Sequence, residues 1–326
     1  MEYRHLGKTG IRVSPICLGT AFRGQTDENV SIRTIERALD RGINFIDSAL
    51  YGNGKSEVVV GKALKGKRDG VVLTTKVFGT VGRSPNHSGL SRVNIMRGVE
   101  ASLRRLQTDY LDFYLCHSFD AHTPLEETVR TLDDLVRQGK VRYVGCSNFP
   151  VWKIMESLWI SDRRNLESFT CLQYQYNLLN RTDFEPELQP LCRQYGLGMM
   201  AYSPLAIGLL TGRFRRGQEP AADSPWSKNP APGLSRSLYP FEEAMTEQVD
   251  AIVAALIDLG RKYDRTAAQV AMAWILDHDE ITAPIIGADI PDHVDEAVGA
   301  IGWELALEDR VLLDEVSTPP PRLKYA

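Results

Sequence analysis

The sequence predicts an α/β chain folded as a TIM (β/α)8 barrel, with an N-terminal β-hairpin ahead of the barrel and long loops at its C-terminal face. Three observations predict it. Seven short apolar runs each end at a residue placed for chemistry: INFID at Asp47, VVLTTK at Lys76, LDFYLCH at His117, VRYVGCSN at Ser147 and Asn148, FTCLQ at Gln173, GMMAY at Tyr202 and APIIG at Gly287. The stretches between them carry helical periodicity. The length, 326 residues with 43% hydrophobic content and 26 glycines, suffices to bury one large core, so residues 1–326 are read as one barrel domain. A closed parallel barrel gathers the carboxyl ends of its strands on one face, and the seven exits then form one site.

The elements follow in order. A short polar strand, the turn Gly7-Lys8-Thr9-Gly10 and a return through Ile11 to Val13 read as a hairpin. Strand one is about Ile16 to Gly19, and in its helix Ile32, Ile35 and Leu39 share a face before Gly42 closes it. Strand two ends at Asp47, with a helix from about Glu57 to Leu64. Strand three, Val71 to Val77, is followed by a helix over Arg92 to Leu106 that turns Ile95, Val99 and Leu103 inward. Strand four is Leu111 to His117, and Pro124 opens the next helix, where a missing N–H costs nothing. Strands five, six and seven are Val141 to Cys146, Phe169 to Gln173 and Gly198 to Ala201. A helix containing Ala267 to Leu276 precedes strand eight, Ile281 to Ile286, and one from about Pro291 to Ile301 follows it. Residues 78–91 and 204–240, polar and aperiodic, are long loops on the working face, where barrels build substrate pockets. There is no fixed-period repeat and no low-complexity tract.

Composition narrows the function. A net charge of -4, from 38 basic and 42 acidic residues, gives no general electrostatic attraction for nucleic acid or an acidic membrane. No stretch carries the ~18 consecutive apolar residues of a membrane span, and the start has no apolar signal core. Cys17, Cys116, Cys146, Cys171 and Cys192 form no C-x-x-C pair and fall mostly inside strand-like runs, which predicts buried, reduced thiols in a cytoplasmic protein. The six histidines (His5, His87, His117, His122, His278, His293) show no close metal-ligand spacing.

Asp47, Tyr51, Lys76 and His117 come from the ends of strands two, three and four. A phenol is a poor acid at neutral pH, its ordinary pKa being about 10, and a buried ammonium beside it favours the phenolate. A carboxylate holds that ammonium charged, and a histidine shares the proton or orients a carbonyl oxygen. Such a set donates a proton to an oxygen becoming an alkoxide, the demand of carbonyl reduction. No side chain here carries electrons, so the hydride must come from a cofactor. Taken singly, each residue has a plainer reading: an Asp that caps a helix, a Lys that snorkels at a strand end, a satisfied His, a Tyr that closes a strand. Their occurrence together at successive exits selects the catalytic one.

The stretches DSALYGNGKSEVVVGKAL, TDYLDFYLCH, GKVRYVGCSNF, LQYQYNLLNR and AYSPLAIGLLTGRF resemble the signature segments of the aldo-keto reductase superfamily, occur in its order and cover nearly the whole chain. The resemblance implies a TIM barrel with an N-terminal hairpin lid, an Asp, Tyr, Lys, His tetrad, and a nicotinamide cofactor bound without a Rossmann fold. It implies that Tyr51 is the general acid/base, that Lys76 and Asp47 tune it, and that His117 orients the carbonyl, with Phe22 beside the substrate. Ser147, Asn148 and Gln173 are implied to hold the nicotinamide carboxamide, near Thr20 and Asp47, with Tyr202 stacked on the ring. Ser203 to Arg213, including Leu205, Gly208, Leu210 and Gly212, is implied to follow the pyrophosphate, and Gly287, Asp289, His293 and Glu296 the adenosine end. One departure is that the family's D-[ST]-A-x-x-Y is here Asp47-Ser48-Ala49-Leu50-Tyr51, one residue shorter. Tyr51 is followed by Gly52-Asn53-Gly54, a flexible turn by which the chain re-enters.

Two functions follow. The first is an NAD(P)-dependent oxidoreductase interconverting an aldehyde, ketone or sugar carbonyl and an alcohol. The second is a redox-sensing regulatory or accessory subunit, as the potassium-channel beta subunits of that family are, and fold alone does not separate them. The segment after strand eight bears on the cofactor. Relatives that prefer NADP commonly read G-A-R there, whereas this chain reads Gly287-Ala288-Asp289 and has no Lys or Arg from Ala283 through Ala297. Asp289, Asp292, Asp295 and Glu296 would repel a 2′-phosphate, and a carboxylate can accept bonds from ribose hydroxyls, so NAD is expected over NADP, with a lean toward alcohol or sugar oxidation. The competing source of positive charge is Arg213, Arg215 or Arg216 in the long loop.

Overall fold

The computed structural model describes residues 1–25, 27–80, 84–221, 224–227, 237 and 240–319. Parts of the two loops expected at 78–91 and 204–240 therefore lie outside the described residues. The chain opens with an antiparallel pair, β1 (Arg4–His5) and β2 (Arg12–Val13), in which Arg4 faces Val13. Eight parallel strands then close a barrel in chain order: β3 (Cys17–Gly19), β4 (Phe45–Asp47), β5 (Val72–Val77), β6 (Leu111–Cys116), β7 (Val141–Ser147), β8 (Phe169–Gln175), β9 (Gly198–Tyr202) and β10 (Ile281–Ile286), with β10 pairing back onto β3. Between and after them run α1 (Glu28–Asp40), α2 (Lys55–Ala63), α3 (Arg92–Leu106), α4 (Leu125–Arg137), α5 (Val151–Arg164), α6 (Gln189–Tyr195), α7 (Phe241–Ala244), α8 (Glu247–Tyr263), α9 (Ala267–Leu276), α10 (Pro291–Val298) and α11 (Leu307–Val316).

Side chains on a strand alternate between two faces, so each strand feeds two cores. The inner one fills the barrel with Cys17, Phe45, Val72, Phe113, Leu115, Cys171, Met200, Ala283 and Ile285. Leu6 and Val13 of the hairpin join this inner core, and Lys8 N–H donates to the Gly196 carbonyl at the foot of β9 (2.8 Å). The expected lid is thus a plug at the end opposite the strand exits. The outer core lies between strands and helices and includes Ile35, Ile95, Val99, Leu132 and Trp274.

The helices begin and end for identifiable reasons. Asp27, Ser91, Thr246 and Thr266 each accept a backbone N–H at a helix start, and Thr266 with Gln269 forms a reciprocal capping box. Gln107, Asn165 and Asp264 end α3, α5 and α8 in the left-handed conformation. Pro124 caps α4 from outside at ψ 127, so the helix opens at Leu125 and not at the proline. The last barrel helix stops at Val298, three residues before the expected Ile301, where Gly299 N–H turns back onto Glu296. The described part of the long excursion is packed down: buried Trp226 donates its ring N–H to the Ile207 carbonyl (2.9 Å). Among the described residues no helix is long and apolar enough to cross a membrane. All five cysteines are buried and free, as expected.

Barrel closure leaves no room at Gly145, where the β7–β8 register shifts. A Cβ there would overlap the Cys171 carbonyl and come within 2.7 Å of Leu115 Cδ2. Gly145→Ala is therefore expected to destabilise the barrel by about 1–3 kcal/mol, measured as a lower urea midpoint at unchanged m-value.

Candidate active site

β4 and β5 pair with Asp47 opposite Thr74, and the two-residue repeat puts Lys76 on the same face as Thr74, one step nearer the exit. Lys76 Nζ lies 2.7 Å from each Asp47 carboxylate oxygen and 2.9 Å from the Ser48 carbonyl. Both side chains are sealed, 0% and 5% exposed. Burial opposes the ammonium, but the Asp47 carboxylate, Tyr51 and the hydrogen bonds to Asp47 outweigh it, and the lysine pKa rises above its ordinary value. Gln173 on β8 donates to the same carboxylate (2.9 Å).

Half-buried Tyr51 stands over this pair, with Lys76 Nζ 5.9 Å from its ring centroid and the His117 ring edge-on at 6.1 Å. The structure thus brings Asp47, Tyr51, Lys76 and His117 together despite the short spacing. It does so with a 3-10 turn, Tyr51–Gly54, in which Gly52, Asn53 and Gly54 all have positive φ (57°, 56° and 92°). Burial, and then the Lys76 charge, lower the His117 pKa to about 4. The imidazole is neutral at physiological pH and can hydrogen-bond a carbonyl oxygen without charge.

A second set of polar groups lines the exits of β7, β8 and β9. Ser147 Oγ donates to the Gln173 carbonyl (2.7 Å), and Asn148 Nδ2 donates to Ser147 Oγ (2.9 Å) and the His117 carbonyl (3.1 Å). Tyr202 hydroxyl donates to Asn148 Oδ1 (3.0 Å). Hydroxyl and carboxamide groups at one rim, beside a half-buried phenol ring, match the amide and flat face of a nicotinamide. Thr20 is different: fully buried, its hydroxyl bonds the Asp47 carbonyl (3.1 Å) and Ser56 Oγ (2.9 Å), tying strand ends together.

Backbone strain marks the same rim. Among the described residues nine non-glycine residues have positive φ, and three of them are the helix caps described above. The other six, Phe22, Asn53, Asn148, Ser203, Ala206 and Ile207, all lie in loops leaving the carboxyl ends of β3, β4, β7 and β9. Such strain costs on the order of 1–3 kcal/mol per residue and clusters where function requires it. Ser203 to Arg213 contains a 3-10 turn, Ala206–Thr211, preceded by Leu205, broken at Ile207 and Gly208 and closed by Gly212 at φ 80°. Leu210 is fully buried.

At the expected adenosine end the acidic residues are less free than their sequence suggests. Asp289 accepts the Gly24 N–H (3.1 Å), lies near Arg23 and His293, and has its pKa raised by burial. Asp295 is held by Arg37 (2.9 Å) and Arg41 (3.2 Å), and Glu296 accepts from Thr266 (3.1 Å). Gly287 and His293 are exposed. Of the loop arginines, Arg215 is bound by Asp250 (2.7 Å) and Arg216 by Glu247 (3.1 Å), while Arg213 lies 5.8 Å from the Phe214 ring centroid. The Gly24 partner of Asp289 was missed by the sequence reading because a backbone donor leaves no residue signature.

A closed parallel barrel with an acid, a phenol, an ammonium and an imidazole at its mouth belongs to a recognisable class of barrel oxidoreductases. The chain is a member of the aldo/keto reductase family, whose profile matches residues 15–317; reductases of this family use nicotinamide cofactors. It is 37% identical over 326 aligned residues to an uncharacterized oxidoreductase, YrpG, of Bacillus subtilis, covering 96% of this chain and 94% of the relative. It is also 33% identical over 322 residues to a probable voltage-gated potassium channel subunit beta of Arabidopsis thaliana (97% and 95% covered). A protein of the same name from Oryza sativa is 34% identical over 307 residues (92% and 91%).

The His117 shift has a sign that can be tested. The unfolded chain takes up this proton near 6.5, the folded chain only near 4. Below pH 6.5 the unfolded state binds more protons, so the stability fully present above 6.5 is lost as pH falls toward 4. Between pH 7 and 4.5 the protein should lose about 2 kcal/mol more than its His117→Gln variant, read by urea denaturation at both pH values.

Proposed function

We propose that the chain is an NAD(P)-dependent oxidoreductase that interconverts a small aldehyde, ketone or sugar carbonyl and the corresponding alcohol, with Tyr51 as general acid/base. The observation that carries this reading is the sealed Asp47–Lys76 pair directly beneath Tyr51. Lys76, kept charged by Asp47, stabilises the oxygen of Tyr51 when its proton leaves for the substrate alkoxide, and takes that proton's place electrostatically. His117, neutral, donates to the substrate oxygen and fixes it near the Tyr51 hydroxyl. Ser147, Asn148 and Gln173 would hold the carboxamide of the cofactor, Tyr202 its ring, and the strained Ser203–Arg213 segment its pyrophosphate. When bound, the nicotinamide supplies or accepts the hydride at the carbonyl carbon. Phe22, in the strained loop after β3, contributes apolar surface beside the substrate. We read residues 1–326 as one catalytic domain working on small molecules in a reduced compartment, which the five buried thiols support.

The relatives named potassium channel subunit beta favour a second reading, a redox-sensing accessory subunit built on the same site. Sustained turnover of a sugar or alcohol panel separates the two, because a sensor would turn over no faster than one slow hydride transfer.

Tyr51→Phe is expected to lower kcat by on the order of 10²–10⁴-fold with cofactor affinity near that of the parent, since the hydroxyl acts on the transition state. Lys76→Met should move the remaining activity in the oxidation direction to higher pH; an unshifted profile would make the ammonium a structural group only.

For the cofactor we propose NAD over NADP. The sequence has no Lys or Arg from Ala283 through Ala297, Arg215 and Arg216 are engaged on α8, and Asp292, together with Asp289 where it holds the Gly24 N–H, would oppose a 2′-phosphate. kcat/KM for both cofactors on one substrate should favour NAD, and Asp289→Arg should raise NADP use by about tenfold, ~1.4 kcal/mol. A clear NADP advantage in the parent would overturn this.

A further inference from the structure

The shortened Asp47–Tyr51 segment poses a problem of position. Tyr51 is followed by three left-handed residues, and Leu50 before it borders a cavity of about 50 Å³, shared with Lys76, Arg105 and Tyr114. The Tyr114 hydroxyl, fully buried, has no hydrogen-bond partner among the described residues. The space beside Leu50 is thus not filled by packed side chains, and the contacts that hold the turn come from elsewhere.

Arg105, near the end of α3, fills that role. A Cβ on Gly54 would lie 2.7 Å from both Cδ and Nε of Arg105, so the backbone of the turn rests directly on the guanidinium stem. The guanidinium is fixed in turn: its Nε donates to Glu57 Oε2 (2.6 Å), and Glu57 is completely buried. The other Glu57 oxygen accepts from Thr75 Oγ1 (2.6 Å), next to Lys76 on β5. The two helices cannot slide, because a Cβ on Gly61 of α2 would lie 2.7 Å from the carbonyl oxygens of Arg105 and Leu106. One buried carboxylate thus connects the strand of Lys76 to the arginine under the turn that carries Tyr51.

We propose that Arg105, oriented by Glu57, is a positioning residue that sets the height of the Tyr51 hydroxyl over Lys76 and His117. The proposal rests on Tyr51 being the acid/base. It explains why the turn uses glycine at 54: position 54 combines φ 92° with contact against Arg105. It also assigns a role to the Arg105–Glu57 ion pair, which joins α3 and α2 to β5 through Thr75.

The test compares Arg105→Lys, Glu57→Gln and Gly54→Ala in the parent and in Tyr51→Phe, reading the single-turnover hydride-transfer rate, NADH and NADPH affinity by fluorescence quenching, and Tm. In the parent, Arg105→Lys should lower the hydride-transfer rate about tenfold to a hundredfold with cofactor Kd within about twofold of the parent. In Tyr51→Phe the same change should have no further effect, because there is no hydroxyl left to misplace. An Arg105→Lys rate within about twofold of the parent, or an equal fractional loss in both backgrounds, would overturn the positioning role. Full activity in Tyr51→Phe alone would instead overturn the functional reading, and the proposal with it. Glu57→Gln, nearly isosteric, and Gly54→Ala, which disturbs the contact from the opposite side, give the same readout if Arg105→Lys fails to fold.

Discussion

A charged lysine with no exposed side-chain surface can persist in a folded protein only if its charge is answered at close range, and Asp47 answers that of Lys76 at 2.7 Å with both oxygens. Removing one partner of such a pair costs about 3–5 kcal/mol, so the surrounding structure is committed to keeping both. Ser48 carbonyl and Gln173 amide complete the shell, drawing β4, β5 and β8 toward one point. The strand register does the rest: Asp47 opposite Thr74 leaves Lys76 one step higher, under Tyr51. Burial, and after it the same charge, keeps the proton off His117.

Around that fixed point the rim is built from loops under strain. The interior of the barrel is conventional packing, with Phe45, Phe113 and Tyr143 rings in succession at 6.5 and 5.1 Å. Among the described residues, the strained ones other than the three helix caps sit above it, and specific bonds hold them: Asn177 donates to the Ser203 carbonyl (2.8 Å), and Asn148 is tied to Ser147, Tyr202 and the His117 carbonyl. A rigid barrel supplies the constraint that lets short loops keep conformations they would not adopt alone.

Much of this was legible in the sequence because it is written in local pattern. β10 and α3 fall at the residues expected, and each of the other seven barrel strands within about two residues, since buried parallel strands are apolar runs bounded by turns. α5 was not read, and Trp152 and Trp159, 64% and 59% exposed, explain why: they put large apolar groups on the outer face and blur the amphipathic period. The tetrad was legible because each member stands at a strand exit. Glu57 and Arg105 were not, because they sit in the first turn of α2 and the last turn of α3, 48 residues apart, where a charged residue ordinarily faces water. The acidic run after β10 misled in part, because Arg37 and Arg41, which engage Asp295, come from a helix near the other end of the chain.

The one-residue deletion shows how such a site tolerates change. Three successive left-handed residues reverse the chain within one turn, and Gly54 then serves directly as the cap of α2, whose first turn supplies Ser56 and Glu57. Ser56 bonds Thr20 and Ser48, and Glu57 bonds Thr75 and Arg105. The helix that follows Tyr51 is therefore bolted to the ends of β3, β4 and β5 by Ser56 and Glu57 of its first turn. The length of the loop matters less than where that helix begins, and the tyrosine keeps its place because the helix start does.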